Sequence, residues 1–267
     1  MKPRIFSGMQ PSGELHIGNW LGALRQWVEL SQDEDYDAIF CVVDAHAVTV
    51  DYKPKQMRDR ILEAAMGYLA AGIDPARSVV FVQSDVLEHT ELAWYLATCT
   101  QMGELHRMTQ FKDKSEQHRH NVNAGLFTYP ILMAADILVY RASLVPVGDD
   151  QVQHLELARD IARRFNQRFK RRVFPEPKPR LSKTPRIMGL DGNAKMAKSK
   201  GNTIALSEDG KAIWKKLKGA YTDPQRQRRD DPGRPEICNI FTMHRALTEA
   251  GQVDEIAAAC RTAQIGC

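Results

Sequence analysis

Two stretches of this chain carry residues that could do phosphate chemistry. The first is Pro11-Ser12-Gly13-Glu14-Leu15-His16-Ile17-Gly18, followed by Asn19. Gly13 and Gly18 remove Cβ bulk, and a helix start offers free N–H groups and a positive dipole end to an anion. No G-x-G-x-x-G is present and no G-K-[ST] follows, so this is neither a dinucleotide fingerprint nor a P-loop. A lone histidine at a helix start is more often a cap or a surface residue. The second stretch is Lys195-Met196-Ala197-Lys198-Ser199-Lys200-Gly201-Asn202. Its three lysines suit a polyphosphate, and a loop of this composition is expected to move until phosphate neutralises it.

Further polar groups stand where strands should end. Asp44-Ala45-His46 follows the apolar run 38–43, and Gly148-Asp149-Asp150-Gln151 follows 144–147. In open α/β sheets such carboxyl ends line the ligand crevice. Gly148 permits close backbone approach and Asp150 could accept from a ribose; the other reading is a plain strand-to-helix turn capped by Asp. Asp136 lies inside an apolar helix with Tyr129, Met133 and Ile137. A buried carboxylate needs a donor, either a neighbouring Arg or backbone N–H, or one N–H of an aromatic ligand.

The elements that must position these groups follow from periodicity. Ile5-Phe6 is a short strand, and Ile17, Leu21, Leu24 and Val28 share a helical face. The runs 38–43, 79–83 and 144–147 are continuous and apolar, as in a parallel sheet covered on both faces. Pro54 can open the intervening helix, which carries Met57, Ile61, Ala65 and Tyr68, and Gly72 can end it. The rhythm predicts an α/β fold: a doubly wound parallel, Rossmann-like sheet, with a second, smaller all-helical C-terminal domain. Residues 88–140 break the rhythm and read as an inserted helical segment. The stretch 174–185 holds four prolines and reads as an extended linker. The domains expected are 1–180, a linker 181–205 carrying the lysine loop, and a helical unit 206–267.

Composition narrows the class without naming it. With 267 residues, 43% hydrophobic and 26% charged, the chain can bury a large core. The net charge is only +4, but ten Lys/Arg face one acid between Arg163 and Arg186. That run is a solvated face or a surface for phosphates or RNA. No spanning apolar run or signal core is visible, so a cytoplasmic protein without membrane contact is expected. Five cysteines in such a chain argue against a disulfide framework.

Together the motifs resemble the bacterial-type tryptophanyl-tRNA synthetases, within the class I aminoacyl-tRNA synthetase family. His16-Ile17-Gly18-Asn19 is similar to H-I-G-H, and the lysine loop to K-M-S-K-S. The other carriers are residues 7–13, Val43 to His46, Met108-Thr109-Gln110-Phe111-Lys112, Met133 to Asp136 and Val147 to Gln151: seven separated motifs in the family's order. Asn19 in place of the second His and Ala197 in place of the first Ser are departures.

The resemblance implies activation of L-tryptophan with ATP and Mg²⁺, then transfer to tRNA(Trp). It implies Asp136 accepting the indole N–H, with Phe6, His46, Met133 and Val147 around tryptophan. Tyr129, Gln151 and Gln10 would hold its ammonium and carboxylate. Gln10, Pro11, Ser12, His16, Gly18, Asn19, Gly148, Asp149, Asp150, Ile187 and Met188 would meet ATP. So would Lys195, Met196, Ala197, Lys198 and Ser199. Lys195, Lys198, Lys112, His16 and Gln10 would be catalytic. A homodimer through 88–140 is implied, and so is an anticodon-binding role for 206–267. A tyrosine-specific sister enzyme, a nucleotidyltransferase with a similar His-x-Gly-His loop and a non-catalytic tryptophan or RNA sensor are the competing functions.

Cys238, Cys260 and Cys267 are grouped late in the chain, which suits zinc or an iron–sulfur site, or else three unlinked core cysteines. In some members of the resembled family a four-iron cluster sits there, its fourth Cys three residues after the third. The resemblance also implies a continuation of the C-terminal unit beyond Cys267.

Overall fold

The computed structural model describes residues 2–181, 188–194, 196 and 200–266. The chain divides into two compact units, Met1–Glu14 with Ala23–Ser182, and Leu15–Gly22 with Lys183–Cys267.

The first unit is built on a five-stranded sheet, β1 (Arg4–Met9), β2 (Asp37–Val42), β3 (Val79–Val82), β4 (Leu144–Val147) and β5 (Lys178–Leu181), in the order β3-β2-β1-β4-β5. Every adjacent pair is parallel. The order reverses beside β1, which makes the carboxyl ends of β1 and β4 the switch point of a doubly wound sheet. The expected parallel α/β fold is therefore present. β5 falls where an extended linker was expected, and its proline-containing sequence is tolerated because it is an edge strand.

Both faces of the sheet are covered. Phe40 of β2 stacks on Trp27 of α2 (Arg25–Gln32), with ring centroids 5.2 Å apart. Trp27 in turn meets Tyr68 of α4 (Pro54–Ala70) edge-on at 5.3 Å. The alternate residues Ile39 and Cys41 pack with Phe6, Ile137, Val145 and Leu155. Those helical partners come from α8 (Ala124–Val139) and α9 (Val152–Arg168). Gly72, at φ +110°, ends the α4 region in a conformation that costs glycine nothing.

Residues 88–139 supply four helices: α5 (Glu88–Ala97), α6 (Met102–Arg107), α7 (Thr109–Gln117) and α8. Their core holds Leu96, Leu105, Met108, Ile131, Ala134 and Leu138, packed against Leu157 and Ile161 of α9. α8 is buried on nearly every side, which explains its unbroken apolar sequence.

The helix expected from Ile17 to Val28 is interrupted. A short turn α1 (Ile17–Asn19) runs into a π-helical stretch, Trp20–Leu24, before α2. The wider turn rotates the apolar face. Leu21 enters the second unit's core with Leu190, Met196, Ile204, Met243 and Ala246. Leu24 and Trp27 are buried in the first unit. The second unit's main helices are α10 (Gly210–Lys218), α11 (Asn239–Leu247) and α12 (Ala250–Arg261).

One side chain ties the sheet's carboxyl edge to α4. The fully buried Tyr68 hydroxyl accepts from the Met9 N–H at 3.1 Å and donates to the Cys41 carbonyl at 3.1 Å. Tyr68→Phe keeps the ring packing but strands both backbone groups. It is expected to lower unfolding free energy by about 1–3 kcal/mol, read as a fall in the urea midpoint with the slope unchanged.

Candidate active site

The first unit gathers its polar residues around Asp136. This side chain is 2% exposed and sits on α8 among apolar neighbours. Oδ1 accepts from Gln83 Nε2 at 2.7 Å and from His89 Nδ1 at 2.6 Å. Oδ2 accepts from His46 Nε2 at 2.7 Å. Burial by itself would raise this carboxyl. The His46 and His89 interactions outweigh it and hold the group below the ordinary carboxylate range. A carboxylate has about four acceptor positions. Oδ1 is filled by two donors, so Oδ2 keeps capacity for one further N–H.

Each donor comes from the carboxyl side of a strand. His46 lies on α3 (Asp44–Ala47), which follows β2, and Gln83 follows β3 directly. Asp44 Oδ1 accepts the Ser84 N–H at 3.0 Å, and Gln83 Oε1 accepts the Ala45 N–H at 3.1 Å, locking these two strand ends together. Phe6, Met133 and Val147 share one apolar cluster on the same side of the sheet.

One helical turn before Met133, Tyr129 bonds His154 Nε2 through its hydroxyl at 2.7 Å. Lys114 Nζ lies 4.6 Å from the centre of the Tyr129 ring. Burial lowers the Lys114 pKa and raises that of Tyr129. Burial, then the Lys114 charge, push His154 down to about 4. Tyr129 is therefore the donor and a neutral His154 the acceptor at neutral pH. Lys112, two residues earlier, is exposed.

At the end of β4, Asp150 Oδ2 accepts from Gln110 Nε2 at 3.1 Å and from Gln151 Nε2 at 3.0 Å. A Cβ on Gly148 would stand 2.9 Å from Asp150 Oδ1 and would push that carboxylate aside. Gln10 carbonyl accepts the Ser12 N–H at 2.8 Å, which opens the turn through Pro11 to Gly13, where φ is +112°. Asp149 heads the same single-turn helix as Asp150 and Gln151.

The second unit holds the remaining motif residues. His16 is buried and bridges to Ala205, and Ile17 N–H donates to the Ile204 carbonyl at 3.0 Å. Asn19 Oδ1 accepts the His16 N–H at 3.0 Å, capping the short helix, while its Nδ2 stays a donor. A Cβ on Gly18 would press to 3.0 Å from the His16 ring and 3.6 Å from Met196. Met196 is a core residue of this unit, and Met188 is half-buried. Ile187, Lys195, Ala197, Lys198, Ser199 and Cys267 lie outside the described residues. Cys238 and Cys260 are part-buried, and Cys260 Sγ lies 3.8 Å from Arg226 Nη1. Among the described residues no group of three or more His, Cys, Asp or Glu is placed to hold a metal.

The whole chain, residues 1–267, matches the family model of the class I tRNA synthetases (W and Y). The chain belongs to that family. It is 48% identical over 267 residues to the tryptophan–tRNA ligase of Deinococcus radiodurans, covering 99% of this chain and 80% of that one. The tryptophanyl-tRNA synthetase of Campylobacter jejuni, solved with ADP and tryptophan, superposes with a TM-score of 0.83 at 38% identity, covering 97% of this chain and 79% of that one. The Mycoplasma pneumoniae enzyme gives 0.81 at 35% identity, covering 97% and 78%.

For a class I tRNA synthetase, the sequence motifs marked the strand ends well and the neighbours of Asp136 poorly. Gln83 ends a strand as Asp44 and Gly148 do, so the same positional rule could have found it. Lys114 is visible only as one lysine of a polar stretch, and His89 and His154 carry no local signal. Once seen in place, His154 has a consequence for stability. It is 1% exposed, and its Nδ1 has no hydrogen-bond partner among the described residues. The unfolded chain takes a proton near pH 6.5, the folded one near 4, so the unfolded state binds more protons in between. Stability should be full above about pH 6.5 and fall toward pH 4, by an amount on the order of 3 kcal/mol from this residue. Urea midpoints measured across that window should drop more steeply in the parent than in His154→Gln.

Proposed function

We propose that this chain activates L-tryptophan with ATP, forming tryptophanyl-adenylate and pyrophosphate, and passes the tryptophanyl group to tRNA(Trp). The observation that carries the reading is Asp136: a buried, ionised carboxylate with three donors and one acceptor position left on Oδ2. Such a group suits the indole N–H, with Phe6, Met133 and Val147 as apolar walls and His46 beside the same oxygen. A ligand without that N–H would leave the carboxylate under-satisfied. Sites of this kind reject deletion analogues by roughly 10⁴–10⁵.

The chemistry asks for alignment rather than proton transfer. The tryptophan carboxylate, already ionised, attacks the α-phosphorus of ATP in line. The bond to the bridging oxygen breaks and pyrophosphate leaves. Tyr129, Gln151 and Gln10 hold the ammonium and carboxylate. In the first unit the turns at Gln10–Ser12 and Gly148–Asp150 offer polar groups to the nucleotide, which arrives as its magnesium complex; in the second unit His16, Gly18, Asn19, Ile187 and Met188 are the motif residues read as nucleotide contacts. Lys195 and Lys198, with the backbone of Met196, Ala197 and Ser199, follow charge onto the leaving pyrophosphate. Lys112, exposed on α7, is kept as a phosphate-facing lysine, and Lys114 is a second candidate for an anion-facing role in the first unit. Lys114's partly desolvated ammonium sits against the ring of Tyr129, the residue read as holding the substrate's polar end. The C-terminal cysteines enter no step.

Two surfaces support the partners of this reaction, which belongs in the cytoplasm. α10 presents Lys211, Trp214, Lys215 and Lys218 at helical spacing on an exposed face, with Lys218 Nζ 5.5 Å from the Trp214 ring, chemistry suited to tRNA backbone and bases. Leu87 and Trp94, 75% and 74% exposed at and near α5, suit a homodimer contact. Trp94→Glu should shift the sedimentation profile from dimer to monomer.

The deciding assay is tryptophan-dependent exchange of labelled pyrophosphate into ATP, followed by charging of tRNA(Trp). Exchange with tryptophan and not tyrosine is expected. Exchange with tyrosine would move the assignment to the tyrosine branch, and no exchange from folded protein would favour a sensor. Lys114→Met should slow exchange by roughly 10² with the fold intact. Replacing Lys211, Lys215 and Lys218 by Ala should weaken charging while leaving exchange unchanged.

A further inference from the structure

The donors around Asp136 form the inner part of a longer chain of contacts. An ionised carboxylate only accepts, so His89 Nδ1 carries the proton in its 2.6 Å bond to Oδ1. His89 Nε2 in turn hydrogen-bonds the Tyr140 hydroxyl, 2.8 Å away. His89 is fully buried. Tyr140 closes the carboxyl end of α8, four residues after Asp136. Its ring stacks on Phe6 with centroids 5.5 Å apart and an interplanar angle of 12°, and meets Phe81 edge-on at 5.5 Å. The same sequence of contacts therefore joins an apolar wall of the pocket to the carboxylate that the indole would meet.

We propose that His89, anchored through Nε2 by Tyr140, is a positioning residue for tryptophan selection: it holds Asp136 Oδ1 so that Oδ2 alone faces the indole N–H. The proposal rests on the reading of Asp136 as the indole acceptor. Gln83 by itself cannot do this. With His46 on Oδ2 it gives one donor per oxygen, which leaves Oδ1 an open acceptor position and the carboxylate some rotation about its Cβ–Cγ bond. Two donors on Oδ1, from different elements, fix that rotation. His46 on Oδ2 then leaves one direction open. Partners of this kind, one step removed from the ligand, commonly change affinity or activity by roughly 10–100-fold when removed.

The test compares tryptophan with β-(3-benzothienyl)alanine, whose ring has sulfur in place of the indole N–H. The readout is the ratio of their kcat/KM values in pyrophosphate exchange. A purely structural role for His89 would lower both amino acids alike and leave the ratio where it was. The parent should favour tryptophan by at least roughly 10², and His89→Leu should cut that preference about tenfold or more. His89→Asn, whose amide N–H can stand near the place of Nδ1, should restore the ratio to within about threefold of the parent. Tyr140→Phe keeps the stack on Phe6 and removes only the hydroxyl. It should lower the ratio several-fold in a protein that still folds, with a modest fall in melting temperature from the hydrogen bond lost at His89.

A ratio unchanged in His89→Leu would overturn the proposal while leaving the Asp136 reading in place. Should His89→Leu fail to fold, Tyr140→Phe decides in the same way. A parental ratio near one would overturn the Asp136 reading, and the proposal with it.

Discussion

A single negative charge buried in an apolar layer constrains much of the first unit. Asp136 sits one turn from the end of a helix that is otherwise almost wholly hydrophobic. Left alone, an ionised carboxylate there would be strongly disfavoured and would neutralise. It is held ionised by three donors drawn from three places, α3, the turn after β3, and α5. None of these is its neighbour in sequence. The fold has to bring the ends of β2 and β3 and the start of α5 to one face of α8, and the Asp44–Ser84 and Gln83–Ala45 bonds keep them there.

That arrangement gives the pocket its chemistry. Tyr129, Met133 and Asp136 step by four and three along α8, so one helical face offers a phenol, a thioether and a carboxylate in turn. A parallel sheet puts the carboxyl ends of β1, β2, β3 and β4 on one edge, where Met9, Asp44, Gln83 and Gly148 stand. In the proposed reaction the helix would select and the strand ends would position. No histidine or carboxylate has to act as a base, since the nucleophile expected in the reaction is already charged. What the site must supply is alignment and electrostatic support, both of which a rigid, pre-satisfied network provides.

The legibility of these features in the sequence follows the range of the forces involved. β2 was readable because burial on both faces demands an unbroken apolar run, β1 only through Ile5-Phe6, and β3 and β4 as short apolar runs although β3 is a half-exposed edge strand. α4 was readable from Pro54 and Gly72, whose backbone preferences are local. β5 was hidden because an edge strand can carry proline, which removes the usual signal. Among site residues, Asp136 stood out as a charge in an apolar stretch and His46 as a polar group after a strand. His89 and His154 did not, because their roles depend on contacts across 47 and 25 positions in the chain. Lys114 and Lys112 are near-identical by local composition. Only helix phase separates the one that packs against Tyr129 from the one that faces water.

The π-helical turn at Trp20–Leu24 shows the same division between local and distant causes. Sequence periodicity gives Ile17, Leu21, Leu24 and Val28 to one face of one helix. In a regular α-helix they would enter one core together. The extra residue in the turn shifts the phase, so that Leu21 is buried with Met196 and Ile204 while Leu24 is buried in the sheet-bearing unit. A π turn is less favourable than an α turn and persists where something outside the helix repays it. Here the repayment is two buried leucines in two cores instead of one. It also fixes His16, Gly18 and Asn19 to residues 204–206, the segment that follows the lysine loop, through the Ile17–Ile204 and Leu15–Leu206 backbone bonds.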